Sequence, residues 1–437
     1  MQKISIKKIT AREILASASY PTIETTVTLS SGVIGKASVP YGVSAGSHEA
    51  SVIVDNKKSR YGGRGCQKVV SNVETKILSA VRGKKIKNQR ELDDLLTALD
   101  PSPRKTKLGG NAVLSVSLAF ARAMAVEQKK PLYRYIKQSL QSPIIKNRKQ
   151  KIKKLPVLEY SIPRPMMVVI EGGKHGENST DFQEYLVCPL KNIKYSDSVR
   201  IGIEVYHALK KVLKKNKYNT NVGTEGAFVP SGIKSNETPL KLIVEAIELA
   251  GYKPGVDVGI ALDPASSEFY FPGKKRPYFL ACENKRFTAL QMIKYYEELL
   301  VKYPIFSIED GLDEDDWDSW TSWCKKFGQE ILIMGDDLTV TQKKFLEKAI
   351  ELKAINSILI KPNQVGTLTE TLNTIALAKS SGFYTIVSHR GGGDTNDTFI
   401  MDLAYAVGSL FTKVGPSRGE RVEKYNRMLE IAEEVGR

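Results

Sequence analysis

The chain is 437 residues long and carries 65 lysines and arginines against 48 aspartates and glutamates, a net charge of +17, with 41% hydrophobic and 26% charged residues. This balance excludes a disordered or collagen-like chain, and the length suits one large α/β domain with a smaller companion, or three small domains. No signal-peptide pattern and no apolar run of about 18 residues is present, and Cys66, Cys188, Cys282 and Cys324 form no CxxC pair. A cytoplasmic protein with no membrane span and no disulfide framework is therefore expected.

Residues 1–140 read as a small α+β domain. ISIKKI, ETTVTLSS and IGKASVP have strand character, and helical patterns follow over 67–81, 89–99 and 111–128. The last of these places Leu114, Leu118, Ala121 and Ala125 on one face. Residues 141–160 look like a linker, with a basic run from Lys146 to Lys154. No aromatic residue interleaves that run, so it reads as a solvated segment and no specific nucleic-acid partner is expected.

From 161 to 437 the pattern changes to short apolar runs ending in polar residues: MMVVIEGG, EYLVCP, VGIALD, IFSIED, ILIMGDD, SILIKPN, YTIVSHR and SLFTK. Eight such strands separated mostly by helical segments predict a closed, helix-covered (β/α)8 barrel. Glu309, Asp336, Lys361, His389 and Lys413 follow one another at steps of 27, 25, 28 and 24 residues, one βα unit per step. The first two runs are too close for a crossover helix, which predicts an antiparallel pair and an irregular start.

Active sites of such barrels lie at the C-terminal strand ends, where the chemically capable residues fall. Asp263, Glu309 and Asp336 end three successive runs, and three converging carboxylates need a cation; an all-oxygen set suits Mg2+. Taken singly, Glu309 or Asp336 would serve equally well as a helix cap. Lys361, desolvated and near a cation, is expected to have a lowered pKa and to act as a general base. His389, Arg390 and Lys413 make the other side cationic and suit a carboxylate or phosphate. Glu184 and Glu225 supply acids from the early barrel, and His175 lies in the Gly-rich loop EGGKHGENS, exposed or closing over substrate.

These residues sit in a collinear series that resembles the enolase family: PTIETTV, VPYGVSAGSHEA, LGGNAVLSVSLAFARAMA, FQEYLVCP, ALDPASSEFY, YPIFSIED, DDLTVTQ, KPNQVGTL, VSHR and ERVEKYNRMLEI. The resemblance implies an N-terminal α+β domain on a ββαα(βα)6 barrel, two Mg2+ ions per site and reversible dehydration of 2-phospho-D-glycerate to phosphoenolpyruvate in glycolysis and gluconeogenesis. It also implies a homodimer or higher even oligomer. It assigns Asp263, Glu309 and Asp336 to one Mg2+ and Ser44 to the second. Lys361 would abstract the C2 proton, Glu225 would assist loss of the C3 hydroxyl with Glu184 as its partner, and His175, His389, Arg390 and Lys413 would contact substrate.

Several departures from the family pattern bear on function. DSRGNPT becomes Ala16 to Thr22, with Ala18 in place of an arginine at the dimer contact, which leaves Glu420 as a candidate stranded acid. GDEGG becomes Gly223-Thr224-Glu225-Gly226-Ala227, and PMMNVINGG becomes PMMVVIEGG. In the phosphate loop a serine gives way to Gly391-Gly392-Gly393, whose backbone N–H groups are expected to form an anion nest. Two other readings stay open at this stage: an enolase-superfamily lyase for another hydroxy acid, and a non-catalytic enolase-like binding protein.

Overall fold

The computed structural model describes residues 4–42, 46, 48–140, 152–155 and 162–437. Ser44 and most of the basic linker lie outside the described residues. The N-terminal part is an antiparallel sheet of β1 (Ile4–Leu15), β2 (Pro21–Leu29), β3 (Ile34–Ser38) and β4 (Lys85–Ile86), in the order β3-β2-β1-β4. Period-two alternation in β2 buries Ile23, Thr25, Val27 and Leu29 on one face. The helix Gly110–Glu127 packs on β2 and β3.

This helix is wider in its apolar demands than the single face read from the sequence. It is buried almost all round, because its other side meets Pro362–Gln364 and the helix Leu368–Ser380 of the second domain. Close approach to the sheet needs a glycine. A Cβ on Gly35 would lie 2.2 Å from both Ala119 O and Ala123 N. The expected helix over 89–99 is present as Gln89–Leu99, capped by Asn88, whose side chain accepts the Glu91 N–H at 3.0 Å. The segment 67–81 is helical throughout but carries a wide π turn at Asn72–Ile77.

The C-terminal part contains β5 (Arg164–Glu171), β6 (Glu184–Pro189) and β7 (Val258–Asp263). After a short hairpin of β8 (Tyr278–Leu280) and β9 (Lys285–Phe287) come β10 (Ile305–Glu309), β11 (Leu332–Gly335), β12 (Ser357–Ile360), β13 (Tyr384–Ser388) and β14 (Phe411–Val414). The barrel closes in the order β10-β11-β12-β13-β14-β5-β6-β7. Strand β6 runs antiparallel to both β5 and β7, and the helices Tyr195–Lys215 and Thr238–Leu249 lie between β6 and β7. The expected ββαα(βα)6 order is thus present.

The barrel interior is filled by Met166, Val168, Leu186, Ala261, Phe306, Leu332, Leu359, Ile386 and Phe411. Two linker residues join this cluster. Ile152 and Leu155 are buried with it, while Lys153 and Lys154 donate backbone N–H groups to Gln329 O and Glu330 O at 2.9 and 3.0 Å. Residues 152–155 of the linker are therefore docked rather than solvated, and the correction follows from two apolar residues, one inside and one directly after a run read by its charge. Among the described residues the four cysteines are free and no helix is long and apolar enough to cross a membrane.

Candidate active site

The strand ends converge on a cavity of about 290 Å3 at the barrel mouth. Asp263 and Glu309 are the last residues of β7 and β10; Asp336, Lys361 and His389 directly follow β11, β12 and β13; Lys413 lies in β14. Glu184 reaches the same mouth from the first residue of β6, because that strand is reversed and Glu184 pairs in register with Asp263. Backbone strain concentrates here, with Asp310, Val340 and Thr341 at φ of 42°, 41° and 55°. The Thr341 hydroxyl accepts the Lys361 N–H at 2.9 Å and donates to Gln364 Oε1 at 2.7 Å, which fixes the start of the Lys361 loop.

The Lys413 ammonium lies 2.9 Å from Glu184, 2.8 Å from Asp263 and 2.7 Å from Glu309. Lys361 is paired with Asp336. When ionised, four buried carboxylates around two ammonium groups leave two negative charges uncompensated, the charge of one divalent cation. Glu309 Oε1 is buried without a hydrogen-bond partner. Oxygen-only donors, an orphaned carboxylate oxygen and an ammonium already drawn among them fit Mg2+ held by Asp263, Glu309 and Asp336. A fourth carboxylate, Asp310, lies within ligand distance of Glu309 and Asp336. Its two oxygens accept the N–H groups of Asp336 and Asp337 at 3.0 and 2.7 Å, so it holds the loop rather than offering free lone pairs.

The expected depression of Lys361 is not found. Burial is the largest single effect and pulls its pKa down, but the neighbouring carboxylates, Asp336 foremost and then Glu309, together raise it above the ordinary lysine range. The sequence expectation rests on a cation beside Lys361, and the direct contact with Asp336 acts against it. Burial, followed by neighbouring carboxylates, pushes Glu309, Asp310 and Asp337 well above the usual carboxylate range.

On the other side, His175 is 7% exposed, far from the open loop position the sequence allowed. Its Nδ1 lies 3.3 Å from Glu184 Oε1 and 3.1 Å from Glu225 Oε1. Burial disfavours the imidazolium, but Glu225 and Glu184 outweigh it and raise His175 to about 10. Burial alone would raise Glu225; the adjacent His389 and His175 instead hold it well below the carboxylate range. The pair therefore shares one proton, resting on His175. His389 Nε2 faces Glu225 Oε2 at 3.1 Å, and Arg421 Nε donates to His389 Nδ1 at 3.3 Å. An arginine can only donate, so Nδ1 is the acceptor and the ring proton is on Nε2, toward Glu225. Burial keeps His389 neutral by lowering its pKa.

Arg390 is buried and donates from Nη1 to both oxygens of Glu49 at 2.8 and 2.7 Å. Glu49 comes from the small domain and was not singled out in the sequence; its signal was its place in VPYGVSAGSHEA. In the glycine loop expected to act as a nest, one donor is already engaged. Gly393 donates its N–H to Gly391 O at 2.9 Å, which removes one of the three donors, and its O accepts the Tyr41 N–H at 2.7 Å. The diverged segment near Ala18 is also tied to this loop: Ser17 N–H donates to Asp394 O at 2.7 Å, and Asp394 N–H to Ser17 Oγ at 2.9 Å. Glu420, the candidate stranded acid, is paired with Arg421.

The structure thus brings together Asp263, Glu309, Asp336, Lys361, Lys413, Glu184, Glu225, His175, His389 and Arg390. Ser44 falls outside the described residues. Residues 6–136 match the family described as the enolase N-terminal domain, and residues 159–437 match that of the enolase C-terminal TIM barrel domain. With both parts matched, in the order and over the fold described above, the chain belongs to the enolase family.

Proposed function

We propose that this protein catalyses the reversible Mg2+-dependent dehydration of 2-phospho-D-glycerate to phosphoenolpyruvate, with Lys361 as base and Glu225 as acid. The observation that carries this reading is one cavity lined by Lys361 and Asp336 on one side and by His175 and Glu184 on the other, with Glu225 directly behind His175. A proton next to a carboxylate is very weakly acidic, so its removal needs a positioned base and charge stabilisation.

Asp263, Glu309 and Asp336 would hold one Mg2+, and Ser44 would belong to the second. Bound Mg2+ supplies positive charge that offsets the charge growing on the substrate carboxylate and relieves the hold of Asp336 on the Lys361 proton. Lys361 Nζ, once its own proton has passed to solvent, takes the C2 proton. The proton shared by His175 and Glu225 goes to the departing C3 hydroxyl, and neutral His389 keeps Glu225 oriented. Arg390 and Lys413 bind the substrate anions, Arg390 exchanging its contact with Glu49 for the phosphate. A non-catalytic binder has no use for so many buried charges at one cavity.

Phosphoenolpyruvate absorbance on adding 2-phosphoglycerate, with and without Mg2+, tests the reading. Activity is expected to vanish in excess chelator and return with Mg2+; full turnover in chelator would overturn it. Asp263→Ala, Glu309→Ala and Asp336→Ala are each expected to weaken Mg2+ binding in calorimetry, because each removes a hard oxygen ligand from a buried site.

The proposal includes a cytoplasmic homodimer. Its contact would lack the arginine replaced by Ala18, but pairing of Glu420 with Arg421 leaves no stranded acid. Light scattering at micromolar concentration is expected to give the dimer mass, and a monomer alone would refute this part.

A further inference from the structure

Glu171 is a fully buried carboxyl group for which the mechanism above has no use. It is the last residue of β5 and pairs in register with Glu184. Its Oε1 accepts the N–H groups of Glu225 and Ala227 at 3.2 and 2.9 Å. Its Oε2 lies 3.3 Å from the Glu225 N–H and 3.4 Å from the Thr224 hydroxyl. The turn is built to admit this group: a Cβ on Gly223 would lie 2.4 Å from Glu171 Oε2. The turn closes on itself through Gly223 N–H to Ala227 O at 2.9 Å and Gly226 N–H to Gly223 O at 3.2 Å.

We propose that Glu171 is a positioning residue for Glu225: its carboxyl group is the anchor on which the turn 223–227 is folded, and so determines where Glu225 meets the departing hydroxyl. This rests on the dehydration reading above. Two ionised carboxylates packed together in a dry site repel, and the charges are divided accordingly. Burial and then the charge of Glu225 raise Glu171 to about 8, so at neutral pH it is the protonated member. A neutral carboxyl can still accept both backbone N–H groups through one oxygen. What the turn requires is therefore the reach of the side chain and its acceptor oxygen, not its charge.

Glutamine retains that reach, whereas aspartate retains the acid but withdraws it by about 1.5 Å. The test compares Glu171→Gln, Glu171→Asp and Glu171→Ala in the full chain with Mg2+ and 2-phosphoglycerate. It follows C2 proton exchange with solvent by NMR and phosphoenolpyruvate formation by absorbance. Glu171→Gln is expected to keep the ratio of dehydration to exchange within about threefold of the wild type. Glu171→Asp and Glu171→Ala are expected to lose about tenfold or more in dehydration, the equivalent of one or two net hydrogen bonds, with exchange nearly unchanged. Should Glu171→Ala fail to fold, the Gln and Asp variants decide the matter by themselves. Wild-type-like dehydration by Glu171→Asp, impairment of Glu171→Gln alone, or equal loss of exchange and dehydration would each overturn the role of Glu171. A wild-type chain that neither exchanges the proton nor forms phosphoenolpyruvate would overturn the dehydration reading, and this role with it.

Discussion

Replacing Lys361 by alanine is expected to slow exchange of the substrate C2 proton by about 10²–10⁴-fold, the usual contribution of a positioned general base. The side chain is buried beside Asp336, and its backbone N–H is fixed by Thr341, so no neighbouring amine can take its place without moving the loop. Lys413, the other buried amine of the cavity, is committed to Glu184, Asp263 and Glu309. Glu225→Gln should separate from this variant. It removes the acid on the opposite side and is expected to abolish dehydration while leaving exchange measurable, because the two groups act at different bonds. Exchange at the wild-type rate in Lys361→Ala would move the base to another residue.

Gly391→Ser is expected to lower kcat rather than to improve substrate binding. The glycine nest expected from the sequence already makes an added side chain neutral or harmful here. In the structure a Cβ at this position would lie 2.3 Å from Glu225 Oε1 and 2.7 Å from His175 Cε1, both in buried side chains that cannot swing into solvent. Overpacking of this kind costs about 1–3 kcal/mol, which corresponds to roughly tenfold to a hundredfold when it falls on the reacting groups. Steady-state kinetics distinguishes the outcomes: a fall in KM with kcat unchanged would show that the pocket opens to admit the side chain. Gly393→Ala is a related case, with its Cβ only 1.9 Å from Tyr41 O, and is expected to detach the loop from the small domain.

How much of the site could be read in the sequence follows from how each residue is placed. Asp263, Glu309, Asp336 and Lys361 were legible because a barrel strand converts position in sequence into position at the mouth. Glu184 was legible only as an acid near the start of the barrel; the reversal of β6 explains why the first residue of a strand faces the same cavity as the last residues of its neighbours. Glu49 and Arg390 are 341 residues apart, and no local pattern reports such a pairing. Glu171 and Asp310 were hidden for a different reason. They act on backbone N–H groups, which every sequence supplies, so their partners leave no compositional trace. The direction of the Lys361 shift was not legible because it depends on which charges are in contact, and contact distance is a tertiary property.

The docked end of the linker gives the connection between domains a second duty. Ile152 and Leu155 sit with Phe306, Leu332 and Phe411, residues at the starts of their strands, so they close the end of the barrel away from the chemistry. A tether is ordinarily free to vary in composition so long as it spans its gap. Here residues 152–155 behave as a stopper, and the barrel cut free just after them would present an apolar hole to water at its floor. Charge-reversing changes in the preceding basic stretch should be tolerated, whereas a polar residue at 152 or 155 should let solvent into the floor and loosen the strands from below. Selection on the join between the two halves would then act on the apolar side chains at 152 and 155 more strongly than on the basic side chains around them.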